Sequence, residues 1–500
     1  MKAALEGRRL GLVFTGLLIG NTMAGLDATL VATAGLSIQR DLGSIGSLAS
    51  IFTAYQLAQI AVMPMYGKLG DLYGRKRVFA VSVAIFLVGS VLCGVAPSLE
   101  FLVVARAVQG VGAGGLTGLT MALVADIVPA ERLSRYLGYT GVVFAVTSVL
   151  GPFLGGVFAE QLDWRWAFFV NLPSGAICYW ALRHVPSDQN RVGHRLDIPG
   201  ALLLASAATL ITLICSWGGR SSTWTSPRII AMTIGAFVSL GAFVAWERRA
   251  AEPILPSRIF RRRETSLAVI ANLIAGIGFF GGIIYLPVYF QAERLRGAAE
   301  AGRLLIPFAL GSAVGTVLVG QAIDRRGKGV RMFPILGMGA MAVGFALLAR
   351  LTTTSSIALA VALGALVGLG IGFVMQVLLF VVQRSTEERD RGAATAVTVL
   401  ARIAGSVVGV ALAGNVLQQR LASELDDAAV PVDLADLQGD ADSLLALEPS
   451  VRRSVVLAYE AALATTFWVF VPIMVVGLGL MILLPRDLDE RVTTDAAQIP

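Results

Sequence analysis

The stretch GKLGDLYGRKR, Gly67 to Arg77, separates two long apolar segments of the chain. It carries four cationic side chains, one acid and three glycines. A short basic link of this kind is typical of a cytoplasmic hairpin between two membrane helices, because lysine and arginine are retained on the cytoplasmic side. The stretch therefore predicts a membrane protein and indicates which side of the membrane this link faces.

The composition favours the same class of protein. Of the 500 residues, 56% are hydrophobic and only 15% are charged, against about 25% in soluble domains, and the mean hydropathy is +0.75. Such a chain cannot bury its apolar surface in one water-soluble fold, which excludes a soluble enzyme. The net charge of +7 is spread over short arginine clusters between apolar segments, so no nucleic-acid partner is expected.

Neither a metal nor ATP is expected to serve this protein. Cys93, Cys178 and Cys215 lie far apart within apolar segments, and the sequence contains no Gly-Lys-Ser/Thr phosphate loop. Cysteines with this spacing are typical of small buried side chains rather than of metal ligands. The missing phosphate loop argues against an ATP-driven pump.

The apolar segments are long enough to predict a polytopic membrane protein, since a spanning helix needs about 20 mostly apolar residues. Fourteen spans are predicted, at 10–36, 46–66, 77–95, 99–123, 134–158, 165–183, 198–217, 228–246, 265–290, 302–323, 332–349, 355–382, 391–417 and 455–484. With both termini in the cytoplasm, most of the 40 lysines and arginines fall on the cytoplasmic side. The positive-inside rule therefore favours an N-in, C-in topology.

The chain also repeats itself weakly. GQAIDRRGKGVR, Gly320 to Arg331, follows the tenth span as the basic hairpin follows the second. GVGAGG, Gly110 to Gly115, in the fourth span has an echo in GLGIG, Gly368 to Gly372, in the twelfth. Both matches need an offset of eight spans, which predicts six helices, two inserted helices and six more.

Five segments occur in an order that resembles one transporter family. They are LDATLV in the first span, the basic hairpin, RAVQGVGAGG, GPFLGG and WRWAFFVNLP. The set resembles the fourteen-helix drug:proton antiporter branch of the major facilitator superfamily, to which bacterial multidrug efflux proteins belong. The resemblance implies an all-α fold with two six-helix bundles related by an axis along the membrane normal.

Four regions are predicted on this basis. They are a six-helix bundle at 1–183, two inserted helices with linkers at 184–264, a second six-helix bundle at 265–490, and a tail at 491–500. The second bundle includes the outer segment 418–453, which we interpret either as a solvated connector or as short amphipathic helices.

Charges inside spans are functional candidates because each is unfavourable in a bilayer. Asp27 lies ~14 Å and Arg106 ~10 Å from the outer ends of their helices, from a rise of about 1.5 Å per residue. We expect the two to share one layer, where Asp27 couples proton movement or binds a cationic substrate and Arg106 takes part in coupling. The alternative for Asp27 is a structural acid that pairs with Arg106 or caps a broken helix. Arg402 lies nearer mid-membrane with no obvious acid partner, and a structural or cavity role is favoured for it over a direct role in transport.

The basic hairpin is also a predicted gate. Gly67 and Gly74 are expected to permit tight turns and close packing, and Asp71 to meet a helix N-terminus or Arg75. Asp324 and Arg325 occupy the corresponding place in the second copy. Loss of this gate is expected to slow transport more than it weakens substrate binding.

The fifth span contains the segment that resembles the antiporter motif of the family. Its predicted residues are Gly151, Pro152, Gly155 and Gly156. Proline removes a backbone donor and kinks the helix, and the glycines permit close helix approach. Thr147 stands where the family motif begins with glycine, which is a departure. The alternative interpretation is a packed, kinked helix without a role in exchange.

The predicted cargo is an amphipathic or cationic drug, exported in exchange for protons, with no cofactor besides the proton gradient. The candidate cavity residues are Gln109, Asn272, Phe279, Phe280, Tyr285, Met375 and Gln376. Apolar walls with few polar groups suit such ligands, and aromatic faces suit cations. The alternatives are an exporter of a lipid or endogenous metabolite, and a non-transporting receptor or scaffold. We expect a monomer in the bacterial cytoplasmic membrane, in contact with its lipids.

Overall fold

The computed structural model describes most of the chain. The described residues are 7–42, 48–128, 162–185, 197–217, 225–250, 257–326, 330–386, 391–428 and 441–485, with single positions between 136 and 158. Across these ranges the chain forms helices joined by short turns, and no strand occurs in them. The expectation of an all-α protein is therefore confirmed for this part of the chain.

The helices of the first part of the chain are α1 (Gly7–Leu42), α2 (Leu48–Tyr73), α3 (Arg75–Gly94), α4 (Leu99–Ile127), α5 (Trp166–Phe169), α6 (Asn171–Leu182), α7 (Ile198–Trp217) and α8 (Pro227–Glu247). Those of the second part are α9 (Arg263–Val288), α10 (Ala298–Leu304), α11 (Ile306–Arg326), α12 (Met332–Leu348), α13 (Ile357–Ser385), α14 (Arg391–Asp427), α15 (Ala441–Leu445) and α16 (Pro449–Ile482). A 3-10 turn, Ser257–Arg261, precedes α9, and a π-helical turn, Tyr289–Glu293, continues it.

Nine helical stretches in the described part are long and apolar enough to cross a membrane. Three shorter apolar helices, Trp166–Leu182, Pro199–Ile211 and Met332–Leu348, accompany them. The predicted second span coincides with α2, a helix outside both groups, and most of the predicted fifth span lies outside the described residues. The count of fourteen spans thus stays a prediction.

The predicted connector 418–453 is partly helical. Helix α14 continues through polar residues to Asp427, and α16 begins at Pro449, before the predicted start of the last span. The extension is stable because Leu421 and Leu425, four residues apart on one face, are both buried. Both described ends of this segment are therefore helical, and residues 429–440 lie outside the described part.

The described residues form two compact units. The first comprises those within Met1–Arg262 and Thr386–Leu400, and the second those within Arg263–Ser385 and Ala401–Pro500. In the first unit the glycine-rich helix α4 packs between α2 and α3. In the second unit the glycine-rich helix α13 packs in the same way between α11 and α12.

The glycines of these two helices permit the close packing. A Cβ added to Gly110 would overlap the Tyr55 carbonyl of α2, and one added to Gly112 would overlap the Phe86 backbone of α3. On α13, an added Cβ at Gly368 would overlap the Phe308 carbonyl of α11. Small residues let helix backbones approach closely, and this is a common way to pack helices in membranes.

We predict opposite effects of adding one methyl group to two helical glycines. Gly112→Ala should destabilise the protein by about 1–3 kcal/mol, because α3 and α4 must separate. Gly339→Ala on α12 should be neutral or stabilising, since nothing lies within 4 Å of the added Cβ and alanine is the better helix former. Thermal unfolding in detergent measures both, and equal melting temperatures for the two variants would contradict the packing argument.

Candidate functional site

The centre of the first unit holds a buried ion pair. Asp27 of α1 and Arg106 of α4 are both fully buried, and Arg106 Nη1 donates a hydrogen bond to Asp27 Oδ2. The other carboxylate oxygen, Oδ1, accepts from Gln109 Nε2 at 2.8 Å and from Asn171 Nδ2 at 3.0 Å. The carboxylate is therefore held by three donors, one of them charged.

A second layer of hydrogen bonds fixes these donors. Ser90 Oγ of α3 accepts from Gln109 Nε2 at 2.8 Å and from Asn171 Nδ2 at 3.2 Å. Arg106 Nη1 also donates to Gln109 Oε1 at 2.7 Å. The network thus joins α1, α3, α4 and α6, so a change at Asp27 alters hydrogen bonds that hold four helices together.

The Arg106 guanidinium is also positioned by aromatic rings. It lies over the Tyr55 ring of α2, 4.1 Å from the centroid, and 5.8 Å from the Phe168 centroid. The Tyr55 hydroxyl donates to the Ala24 carbonyl of α1 at 2.9 Å, which holds that ring in place. Stacking over tyrosine is favourable for a cation, and more so away from water.

Two donors of this guanidinium are unused within the described part of the chain. Arg106 Nε and Nη2 are buried and have no hydrogen-bond partner among the described residues. A buried charged donor without a partner is unfavourable by more than the ~1–3 kcal/mol of a neutral one. The ion pair therefore keeps a capacity to bind a further acceptor.

Local sequence explains how α4 presents its two polar side chains together. Arg106 and Gln109 are three residues apart and so lie on one face of the helix. Gly89 of α3 lies opposite, where an added Cβ would overlap the Gln109 backbone. The close approach of α3 brings Ser90 within hydrogen-bond distance of Gln109.

Sequence reasoning identified part of this network. Asp27, Arg106 and Gln109 were predicted site residues, whereas Tyr55, Ser90 and Asn171 were not. The sequence does contain a signal for Asn171, because an amide side chain is unusual in a membrane segment and this one belongs to WRWAFFVNLP. Tyr55 and Ser90 are unremarkable in sequence, and only packing places them at the site.

The basic hairpin turns at one residue. Gly74 has a positive φ of 90° and separates α2 from α3, a conformation that glycine adopts at no steric cost. The prediction for Gly67 is wrong: it lies inside α2, which continues to Tyr73, and an added Cβ would meet open space. One positive-φ position is enough to reverse the chain, so no second turn is needed.

Arg75 pairs with an acid that sequence reasoning did not single out. Arg75 Nη1 lies 2.8 Å from Asp126 Oδ2, near the C-terminal end of α4, and both side chains are about one-quarter exposed. A carboxylate at a helix C-terminus is unfavourable, and the guanidinium offsets this. Asp71 lies in the last turn of α2, and its side chain, with those of Asp324 and Arg325, lies outside the described part.

The segment that resembles the antiporter motif is described at single positions. Gly151 and Gly155 are buried, while Pro152 and Gly156 lie outside the described residues. Thr147 is also buried, and a Cβ added to Gly25 of α1 would lie 3.2 Å from its hydroxyl. Thr147 therefore packs against α1 two residues before Asp27.

The family model of the Major Facilitator Superfamily matches residues 17–410. This range contains the buried ion pair, the basic hairpin and the glycine-rich helix α13. The chain belongs to the major facilitator superfamily.

Individual relatives in this superfamily agree with the assignment. An uncharacterized MFS-type transporter of Mycobacterium tuberculosis is 36% identical over 481 residues, covering 95% of this chain and 69% of the relative. Multidrug resistance protein 3 of Bacillus subtilis is 33% identical over 417 residues, which cover 83% of this chain and 81% of the relative. The crystal structure of the human organic anion transporter MFSD10 matches with a TM-score of 0.60 and covers 95% of this chain and 100% of its own. Because the sequence identity is only 15%, this match shows the fold alone. This chain is therefore a multi-pass membrane transporter and not an enzyme.

The candidate cavity residues of this transporter divide into two groups. Gln109 belongs to the Asp27 network of the first unit, and the others lie in the second unit. Asn272 and Phe279 are buried there, and the Asn272 amide donates to the Ala268 carbonyl of its own helix. The Tyr285 hydroxyl donates to the Val410 carbonyl at 2.7 Å. Partly exposed side chains are those of Phe280, Met375 and Gln376.

Arg402 lies in α14, which packs closely on α9 through small residues. An added Cβ at Gly276 of α9 would overlap the Arg402 carbonyl, and one at Gly405 of α14 would overlap the Leu273 carbonyl. The backbone around Arg402 is therefore part of a tight helix contact inside the second unit, and the role of its side chain stays a prediction.

We predict strong energetic coupling within the buried ion pair. Arg106→Met should destabilise the protein by about 3–5 kcal/mol, because it leaves the Asp27 carboxylate buried and uncompensated. Asp27→Leu/Arg106→Met should be more stable than Arg106→Met alone, since the double variant buries no charge. Unfolding in mild detergent for the wild type, both single variants and the double variant gives the coupling energy, and additive effects would contradict this prediction.

Proposed function

We propose that this transporter exports amphipathic or cationic drugs from the cell in exchange for protons, by alternating access. The observation that carries the proposal is the buried Asp27–Arg106 pair and its amide partners. Burying an ionisable pair inside a membrane protein costs free energy, so such pairs are rare and usually belong to a functional site. Exchange of protons requires one carboxyl that is reached from each side in turn, and Asp27 is our candidate.

The hydrogen bonds suggest how a proton changes the first unit. Protonation of Asp27 removes the negative charge that Arg106 binds, so the guanidinium gains a free donor at Nη1 in addition to Nε and Nη2. With the proton on Oδ2, Oδ1 remains a carbonyl acceptor for the Gln109 and Asn171 amides, so the change falls on the contact with Arg106. In this proposal the network has two discrete hydrogen-bonding states, as a transport cycle needs.

The topology and the energy source complete the proposal. Fourteen spans with both termini inside place the basic hairpin in the cytoplasm of a bacterium, where the positive-inside rule favours it. The proton gradient across the cytoplasmic membrane drives export, with no metal or organic cofactor. We propose a monomer whose remaining partners are membrane lipids and the small-molecule substrate.

Two observations support the proposed class of drug. One relative is named a multidrug resistance protein, and the second unit contains the partly exposed ring of Phe280, which packs edge-to-face on the buried Phe279 with centroids 5.1 Å apart. Aromatic faces bind lipophilic cations without demanding one molecular shape. Met375 and Gln376 are proposed to add adaptable apolar and hydrogen-bonding contacts.

Reconstituted transport tests the role of Asp27. Purified protein in liposomes with an imposed pH gradient should drive flux of a lipophilic cation, and Asp27→Asn should reduce this flux to the level of empty liposomes. Substrate counterflow without a gradient should persist in Asp27→Asn, which separates loss of coupling from loss of folding. The matched control is Asp41→Asn, an exposed acid on the same helix, which should transport normally.

The outcomes discriminate between the candidate functions. Unchanged gradient-driven flux in Asp27→Asn would remove the coupling role of that residue. Flux of a fluorescent phospholipid, but of no cation or neutral drug, would favour the lipid exporter. Absence of gradient-driven flux across a broad panel of drugs and lipids would favour a non-transporting receptor or scaffold.

We predict that the hairpin ion pair controls rate rather than affinity. Asp126→Asn should lower the initial rate of export while leaving the Kd for substrate unchanged, because the pair joins the start of α3 to the end of α4. Partly exposed pairs contribute only about 0–1 kcal/mol, so folding should be preserved. The swap Arg75→Asp/Asp126→Arg should recover part of the rate, and an equal change in rate and Kd would argue against a gate.

A further inference from the structure

The second unit contains a buried carboxyl that the proposed mechanism does not use. Glu293 is 5% exposed and ends the π-helical turn Tyr289–Glu293 that continues α9. Such turns are rare in helices and are frequent at functional sites. Two residues later Leu295 has a positive φ of 50°, a conformation that is unfavourable for leucine and persists only where the surrounding structure holds it.

Two polar atoms in this turn are buried without a partner. Glu293 Oε1 and the Tyr289 hydroxyl have no hydrogen-bond partner among the described residues, and Tyr289 is 1% exposed. The tyrosine hydroxyl lies within electrostatic range of Glu293. A buried polar group without a partner is destabilising by about 1–3 kcal/mol, so two such atoms at one place indicate a missing ligand.

The charged groups that face Glu293 are Glu460 of α16 and Arg294. Both are held by one residue in the turn between α12 and α13: the Thr353 N–H donates to Glu460 Oε2 at 2.8 Å, and Arg294 Nη1 donates to the Thr353 carbonyl. The other elements that pack on the π-helical turn are α9, α10 and α15. Glu293 therefore lies within electrostatic range of a second acid and of one cation, both held by the Thr353 backbone.

We propose that Glu293, with Tyr289 and Glu460 in electrostatic range, is a second proton-binding site, with the proton on Glu293 Oε1. A proton converts the unpartnered acceptor into a neutral hydroxyl that can donate a hydrogen bond. It also removes the negative charge of a buried carboxyl that lies within electrostatic range of the partly exposed Glu460, and two like charges disfavour each other. No bond is broken and no co-reactant is needed, since the proton comes from solvent.

The proposed site lies in a different unit of the molecule from Asp27. Asp27 belongs to the first unit and Glu293 to the second. In the proposed topology the π-helical turn lies at the outer end of its span, so Glu293 exchanges protons with the outer medium. With a carboxyl in each unit, the transporter carries two protonatable sites rather than one.

Infrared spectroscopy of the purified full-length protein in detergent tests the proposal without a substrate. The spectrum of a protonated carboxyl contains a C=O stretch that is absent from the carboxylate. We expect a band of this type that titrates with pH in the wild type, persists in Asp27→Asn and is lost in Glu293→Gln. The same pH-dependent bands in Glu293→Gln and in the wild type would overturn the proposal.

Two further variants keep the test decisive if Glu293→Gln does not fold. Glu460→Gln removes the adjacent charge, and Tyr289→Phe removes the unpartnered hydroxyl, so each should change the midpoint or the frequency of the Glu293 band. No change in either variant would contradict the site. Loss of the band on adding sodium at constant pH and ionic strength would identify a metal cation as the ligand and would also overturn the proposal.

Because the infrared readout does not involve transport, it is independent of the proposed function. If Asp27→Asn keeps the band and loses coupled flux, both the coupling role of Asp27 and the proton site at Glu293 are supported. An intact band in a protein without gradient-driven flux would support the second proton site while contradicting the exporter.

Discussion

The first unit is organised around the need to compensate one buried carboxylate. Asp27 lies where no water reaches it, so every lone pair it presents must find a donor within the protein. Arg106, Gln109 and Asn171 supply those donors from two other helices. Because a buried anion tolerates little displacement of its donors, α1, α4 and α6 are held in one arrangement around Asp27.

Glycine makes this arrangement geometrically possible. Gly89 and Gly112 bring α3 and α4 so close that side chains as short as Ser90 can reach the amide of Gln109. The same solution recurs in the second unit, where Gly368 and Gly372 bring α13 against α11. The weak internal repeat of the sequence therefore corresponds to a shared way of packing three helices, with the ionic network present in only one copy among the described residues.

Sequence patterns predicted the parts of the site that have a one-dimensional signal. A charge in an apolar segment is visible at once, and the helical rise placed Asp27 and Arg106 at similar depth. Asp126 was missed because it lies near a helix end, where an acid looks like an ordinary surface residue. Gly67 was misjudged because a glycine in a basic link resembles a turn residue, although α2 runs through it and the chain reverses at Gly74.

The sequence by itself determined the class of the protein, its family resemblance and the identity of its buried charges. These features depend on composition and on local order, which survive in a linear description. The tertiary structure alone decided that Asn171 and Ser90 complete the Asp27 network, that Arg75 binds Asp126, and that Glu293 faces Glu460. Such contacts join residues far apart in the chain, and their formation depends on how closely neighbouring helices pack.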